Sequence, residues 1–353
     1  MKKEKKLTIH TLKNCKHIWE KIEMGKFVEM LQARAKLQTL SRRKGKHYIV
    51  SDIHGMYGSY LDVIKKLNPR DHLYILGDVL DRGNGGIKIL QDIRKRQENI
   101  RSHPKVTFLM GNHEMQFLMT VCIMKKHGLS KKDMENILKR ENLKQDYELL
   151  KGAMAQEKVQ QYKKRITESE AVCQKMMKQK RVNQEEMDII VTWLKWNKGY
   201  TTIFDYLNLP KEEQKAICKF LSSSYVVLPK NIQGKNYLLV HAMPPRNPNM
   251  LKEMKITGEG YRFKDLDAEE CDFMLQEREI STYALCRKKG FITICGHTPK
   301  AGEIVKDEKN RLIRLDAGCG HRNKKSKLAL FCVEDNEVQY IAERETKQEP
   351  REL

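Results

Sequence analysis

Two kinds of apolar pattern alternate along the chain, and their order outlines a fold. From residue 11 to about 40 the apolar positions Ile18, Ile22, Phe27 or Val28, Leu31, Ala35 and Leu37 fall at helical spacing. They predict one or two amphipathic helices, ended by the polar run Ser41-Arg42-Arg43-Lys44-Gly45. Short blocks then take over: Tyr48-Ile49-Val50, Leu73-Tyr74-Ile75-Leu76, Val106-Thr107-Phe108-Leu109-Met110, Tyr237-Leu238-Leu239-Val240 and Phe291-Ile292-Thr293-Ile294. Their length and their β-branched or aromatic content predict buried strands, and Leu312 to Leu315 and Leu328 to Val333 read the same way.

Between the third and fourth blocks runs a polar stretch without proline, from about Lys125 to Trp196. Its apolar positions Leu150, Met154, Tyr162, Ile166, Cys173 and Met177 recur near the helical period, and Met187, Ile190, Val191 and Leu194 give a second helical signal. This predicts a helical insertion, because linkers lack such periodicity. The expected organisation is a basic helical N-terminal extension (1–46), an α/β catalytic domain (47–345) with an insertion at about 124–196, and a polar tail (346–353). There is no internal repeat and no Gly-x-x-x-x-Gly-Lys-Ser/Thr phosphate loop.

Composition narrows the classes. With 353 residues, 40% hydrophobic and 32% charged, the chain can bury a core, which excludes wholly disordered and collagen-like proteins. No apolar run approaches the roughly 18 residues of a membrane span. Lys13, Lys16 and Lys21 interrupt any apolar signal core, and nine cysteines without a Cys-x-x-Cys pair read as reduced thiols, so a cytoplasmic location is expected. The net charge is +22, concentrated in residues 1–46 (14 Lys/Arg against 4 Asp/Glu) and 124–190 (16 against 11). Such regions suit anionic partners or serve equally as solvated helical faces. Nucleic acid is not the favoured partner, since no aromatic-interleaved RNA-binding signature, zinc finger or basic-region zipper is present.

Candidate chemistry sits where the strand blocks end. The first runs into Asp52-Ile53-His54-Gly55, the second into Gly77-Asp78-Val79-Leu80-Asp81-Arg82-Gly83, and the third into Gly111-Asn112-His113-Glu114. The fourth ends at His241-Ala242 and the fifth at Gly296-His297-Thr298-Pro299. Open α/β sheets bind ligands at such carboxyl ends, and mixed oxygen and imidazole donors suit hard and borderline divalent metals. One Asp-x-His alone would be an ordinary polar turn; five clusters after five strands are not.

Asp-x-His-Gly, Gly-Asp-x-x-Asp-Arg-Gly and Gly-Asn-His-Glu, followed by two later histidines, resemble the calcineurin-like metallophosphoesterases of the phosphoprotein phosphatase type. The resemblance covers about residues 47–335, and His241-Ala-Met-Pro-Pro is closer to the bacterial-like branch. It implies a β-sandwich of two mixed sheets flanked by helices, with a binuclear metal site. By motif, Asp52 and His54 would bind the first metal, Asp78 would bridge both, and Asn112, His241 and His297 would complete the second. Two divalent ions are expected, manganese first, with iron, zinc or magnesium also compatible. Two cations about 3.5–4 Å apart can bridge a water, lower its pKa and set up in-line attack by hydroxide on phosphorus.

In that scheme Arg82 and Asn112 would hold the phosphate, and His113 would protonate the leaving oxygen with Asp81 fixing its tautomer. A second phosphate-binding arginine is expected, with Arg262 and Arg246 as candidates and Arg278 as a third. Each role has a plainer rival: Asp81 could cap a helix starting at Gly85, Arg82 could pair with a surface carboxylate, Asn112 could be a turn residue, and His241 could be a buried histidine bonded to backbone. Histidines 10, 17, 47, 72, 103, 127 and 321 read as non-ligands, and Asp316 as a residue ordering the loops near His297. Ser51 departs from the family's usual glycine, and the 128-residue gap from His113 to His241 is long.

The expected substrate is a phosphorylated serine or threonine in a protein, or a small phosphoester. A symmetrical dinucleoside tetraphosphate is the alternative, although that sister branch resembles Ala-Arg-Gly and Asn-His-Asp where this chain has Asp81-Arg82-Gly83 and Asn112-His113-Glu114. From another class, the chain could be a basic nucleic-acid-interacting protein with a vestigial metal site; six intact ligand positions argue against that.

Overall fold

Alternation along the strands sorts their side chains into two cores. Strand β1 (His47–Val50) sends Tyr48 and Val50 to one face and Ile49 to the other; β2 (His72–Leu76) separates Leu73 and Ile75 from Tyr74 and Leu76. The same rule runs through β3 (Lys105–Leu109), β5 (Lys235–Val240) and β10 (Lys327–Cys332). This computed structural model describes residues 44–99, 101–278 and 281–346. The helices expected over residues 11–40 and the polar tail beyond residue 346 lie outside them.

The remaining strands are β4 (Tyr225–Ile232), β6 (Tyr261–Arg262), β7 (Ile292–Cys295), β8 (Val305–Asp307), β9 (Leu312–Arg314) and β11 (Glu337–Ala342). Their order is β11-β10-β1-β2-β3-β4-β5-β7-β9-β8, with β6 on β4. The two halves meet at a single register pair, Leu109 with Tyr225, backed by Met110 N–H donating to the Tyr225 carbonyl at 2.7 Å. So narrow a joint lets the sheet curl until its halves face each other. Ile49, Leu76 and Leu109 then pack with Leu228, Leu239 and Ile294 in the inner core. The expected α/β sandwich is therefore present, its two mixed sheets joined as one continuous ladder, and the helices cover the outer faces.

All seven strands predicted from the sequence form. Strand β4 was hidden by Pro229, which breaks the usual strand pattern. It is tolerated because β6 pairs with β4 only at Tyr225 and Val227, leaving that edge of Pro229 without a ladder to interrupt.

The outer helices are α1 (Tyr57–Lys66), α2 (Gly86–Glu98), α3 (Asn112–His127), α4 (Lys131–Leu150), α5 (Gln156–Lys180), α6 (Gln184–Val191), α7 (Tyr200–Leu207), α8 (Lys211–Ser222), α9 (Pro248–Thr257), α10 (Ala268–Gln276) and α11 (Ser281–Lys288). The stretch expected to be a helical insertion is helical, but a turn at 151–155 folds it into the hairpin α4–α5. Reciprocal capping boxes, Ser130 with Asp133 and Asn183 with Glu186, start α4 and α6. The hairpin is held at its base by Met134, Ile137, Leu138 and Leu143, whereas only Cys173 and Met176 of α5 are buried. After α6 the helix widens into a π turn, Thr192–Trp196, that buries Trp193 completely and leaves Trp196 exposed.

The eight cysteines among the described residues are all unpaired, six of them buried. No helix among those residues is long and apolar enough to cross a membrane.

The inner core carries the curl, so Leu239→Ala at its centre is expected to destabilise the fold by about 2–5 kcal/mol. Chemical denaturation measures this; a loss under about 1 kcal/mol would show that the facing halves do not depend on that packing.

Candidate active site

The loops after β1, β2 and β7 are strained where chemistry was expected. Asp52 (φ 53°), His54 (46°), Asp78 (54°), Asp81 (66°), Arg82 (63°) and His297 (67°) all hold left-handed backbone. Such conformers cost about 1–3 kcal/mol each and persist only where the surroundings over-determine them. Here the loops tie one another down: Asp52 N–H donates to Gly77 O (3.2 Å), His54 N–H to Asp78 O (2.8 Å) and Gly55 N–H to Val79 O (2.9 Å). Gly77 (φ +85°) faces Gly111 so closely that an added Cβ would lie 2.4 Å from the Gly111 nitrogen.

Glu114 is the buried anchor of this network. Its carboxylate accepts N–H bonds from Gly111 (2.9 Å), Asp78 (2.8 Å), Val79 (2.9 Å) and Leu80 (3.1 Å), joining the second and third motifs. Burial, then the charge of Asp78, pushes its carboxyl up to about 7 against the pull of those bonds.

Around Asp78 the donor atoms converge in two groups. His54, Asp78 and His113 offer atoms all within 4.8 Å of one another, and so do Asp78, His241 and His297. One Asp78 oxygen, Oδ2, faces His54 Nε2 and His113 Nε2 at 3.8 Å each; the other, Oδ1, lies 3.5 Å from His241 Nε2. The carboxylate thus presents one oxygen to each group. Burial opposes its ionisation, but the imidazoles of His241, His113, His54 and His297 hold its pKa well below the usual range.

Outer hydrogen bonds aim the imidazoles. His241 Nδ1 donates to Leu76 O (2.6 Å) and His54 Nδ1 to Leu80 O (3.2 Å), which turns both Nε2 lone pairs inward. His297 Nε2 donates to Gln276 O at 3.0 Å, a shorter contact than the 3.4 Å from Arg278 Nε, so its Nδ1 lone pair also points in. Asn112 Oδ1 sits 3.0 Å from His241 Nε2 and 3.1 Å from His297 Nδ1. Acceptors therefore face acceptors with no proton to share. Burial lowers the pKa of His54, His241 and His297, the last to about 3, which favours the neutral rings that these outer hydrogen bonds require. Neutral imidazoles, a carbonyl oxygen and an ionised carboxylate with inward lone pairs fit divalent cations.

Asp52 stands beside these groups. Its carboxylate accepts the Ser51 hydroxyl and the His297 N–H (3.2 and 3.1 Å), and burial with the charges of Asp316 and Asp78 raises its pKa. Asp316 is likewise pushed up to about 6, chiefly by burial, and accepts Gly318 N–H at 2.9 Å. Added Cβ atoms explain Gly296: one there would overlap Ser51 Oγ and Asp52 Oδ2.

His113 and Asp81 form a dyad, Nδ1 to Oδ2 at 2.6 Å. Asp81 does not cap α2, whose N-cap Gly85 receives no side-chain bond; it is gripped instead by Trp193 Nε1–H (2.7 Å to Oδ2) and the Thr202 hydroxyl (2.6 Å to Oδ1). Both grips come from the stretch leading out of the insertion. That stretch is a wall of the site, and the sequence carried no sign of it. Burial works against a charged His113, but the Asp78 charge and the Asp81 hydrogen bond outweigh it and raise its pKa.

The arginine expectations need correction. Arg82 is half-buried at the site, with Nη1 2.7 Å from His321 Nε2. Arg246 and Arg262 are not brought there. Arg246 pairs with Glu269 (3.0 Å) over the Phe273 ring, and Arg262 stacks on Tyr225 while donating to Ser223 O (2.6 Å) and the Tyr225 hydroxyl (2.9 Å). Each is spent on its own packing. Arg278 is the arginine that reaches the cluster, at His297.

A sandwich carrying such an edge is the architecture of a metallophosphoesterase. The family model for calcineurin-like phosphoesterases matches residues 46–228, and the chain belongs to that family, whose members typically depend on a binuclear metal centre. It is 32% identical over 83 residues, 23% of this chain and 28% of the relative, to a symmetrical bis(5'-nucleosyl)-tetraphosphatase from Wigglesworthia glossinidia brevipalpis. The match thus spans little more than a quarter of that relative. A protein serine/threonine phosphatase from Saccharomyces cerevisiae aligns over 88% of this chain and 82% of its own at 12% identity, TM-score 0.41. A metallophosphoesterase from Sphaerobacter thermophilus aligns over 86% and 90% at 13% identity, TM-score 0.40.

Asp78→Asn removes the shared charge, and elemental analysis is expected to show loss of bound metal, overturned by unchanged content. Trp193→Phe keeps the buried ring but deletes its hydrogen bond to Asp81; kcat is expected to fall roughly tenfold at unchanged metal content. Steady-state kinetics with elemental analysis check it.

Proposed function

We propose that the chain is a phosphomonoester hydrolase acting on phosphorylated serine or threonine in proteins. The observation that carries this reading is the His113–Asp81 dyad at 2.6 Å, with His113 Nε2 turned toward Asp78. Two divalent cations, held by Asp52, His54 and Asp78 and by Asp78, Asn112, His241 and His297, would neutralise phosphoryl charge and lower the pKa of a nearby water. Manganese remains the first expectation for their identity.

The protein's own residues do the rest. Arg82 and Arg278 flank the cluster with guanidinium groups suited to phosphoryl oxygens. Asp81 receives Nδ1–H of His113, so a protonated ring presents Nε2–H to the departing oxygen. The raised pKa keeps more of His113 protonated near neutrality. A serine or threonine alkoxide is a poor leaving group that needs this proton, whereas a nucleotide phosphate departs far more readily without it. The dyad therefore supports an alkyl phosphoester.

A second reading, hydrolysis of a symmetrical dinucleoside tetraphosphate, rests on the relative that is 32% identical over 83 residues. A metal-reconstituted panel of phosphoserine peptide, diadenosine tetraphosphate and single-stranded RNA separates them. Highest kcat/KM on the peptide is expected; highest on the dinucleotide would overturn the protein-phosphatase reading.

His113→Asn is expected to retain metal and lose about 100-fold or more in kcat on a phosphoserine peptide. The loss on p-nitrophenyl phosphate, whose leaving group departs unaided, should be roughly tenfold smaller. Equal losses on both would remove the acid role.

A further inference from the structure

We propose that His321 is a positioning residue that holds the Arg82 guanidinium for the phosphoryl group, an inference that rests on the phosphatase reading of the site. The geometry assigns the direction of the contact without ambiguity. Arg82 has only N–H donors, so His321 Nε2, 2.7 Å from Nη1, must be the acceptor. Burial and the charges of Arg82 and Lys198 lower the His321 pKa, which favours the neutral ring this contact needs.

The loop carrying His321 is built to stay in place. Gly320 (φ +84°) lies so close to His54 that an added Cβ would overlap the His54 Cβ. Glu343, just past β11, accepts Gly320 N–H at 3.0 Å and Arg322 N–H at 3.3 Å. Arg322 in turn donates to the Arg82 carbonyl at 3.1 Å and to Glu345 at 2.8 Å, and Glu345 also accepts Asn84 N–H at 3.2 Å. The segment after the last strand thus straps the 318–322 loop to the Arg82 turn, and that loop grips Arg82 by both its backbone and its side chain. A free arginine side chain loses much rotamer freedom on meeting a ligand; one already tethered at Nη1 loses less, and its remaining N–H groups keep a fixed aim. Among the described residues His321 hydrogen-bonds to Arg82 and to no member of the two metal-binding groups, so it acts through Arg82.

The test is a double-mutant cycle on metal-loaded full-length protein, read as the Kd of inorganic phosphate by calorimetry. His321→Ala is expected to weaken phosphate roughly fivefold to tenfold, and His321→Gln, which keeps an acceptor, to stay within about threefold of the parent. In an Arg82→Ala background, His321→Ala should change Kd by less than about twofold, because the group it positions is gone. Equal weakening in both backgrounds, or no weakening in either, would overturn the proposal, as would failure of His321→Gln to restore affinity. A normal phosphate cycle in a protein that hydrolyses no phosphoester would support the tether while overturning the catalytic reading.

Discussion

Five carboxylates, Asp52, Asp78, Asp81, Glu114 and Asp316, are buried along one edge of this sandwich, and the fold is arranged around their mutual repulsion. Like charges in a low-dielectric setting must lose charge, find hydrogen bonds or meet cations. The first two answers are visible. Glu114 spreads its charge over four backbone N–H groups, Asp81 over an indole, a hydroxyl and an imidazole, and Asp52 and Asp316 are driven toward their protonated forms. Asp78 stays ionised because four imidazoles surround it. His54, His241 and His297 commit their outer nitrogens to carbonyls and His113 commits its own to Asp81, which leaves the centre rich in lone pairs.

The strained turns follow from the same requirement. Side chains from the ends of β1, β2 and β7 can converge only if the backbone doubles back at once, which puts six non-glycine residues at positive φ. Glu114 and the hydrogen bonds between motif loops supply the stabilisation that offsets this strain. The widened turn at Thr192–Trp196 plays a comparable part for the dyad, directing Trp193 inward to Asp81 where a regular helix would continue past it. The helical stretch therefore has two parts with different consequences: a shallowly packed hairpin, and a buried wall that reaches the His113–Asp81 pair.

The described termini matter as well. The residues after β11 belong to the site, because Glu343 and Glu345 hold the loop that meets Arg82. The geometry of the second motif thus depends on a segment nearly the whole domain away in sequence. Arg82 and His321 are 239 residues apart, His113 and Asp81 are 32 apart, and Trp193 and Asp81 are 112 apart.

Seven of the eleven strands are legible along the chain, because alternating apolar residues report which face is buried, and so are the ligand candidates, because Asp52, His54, Asp78, Asn112, His241 and His297 each follow such a strand. Local pattern carries that information within a few residues. Which distant groups meet emerges only on folding. Arg278 reaches His297 while Arg246 and Arg262 turn to Glu269 and Tyr225, and no spacing rule distinguishes three arginines on loops. Trp193 and Thr202 read as ordinary core residues until packing brings them to Asp81, and His321 as a surface histidine until the strap lays it on Arg82. Periodicity records burial, whereas partnership between remote side chains exists only once the sheet has curled and its edges have closed.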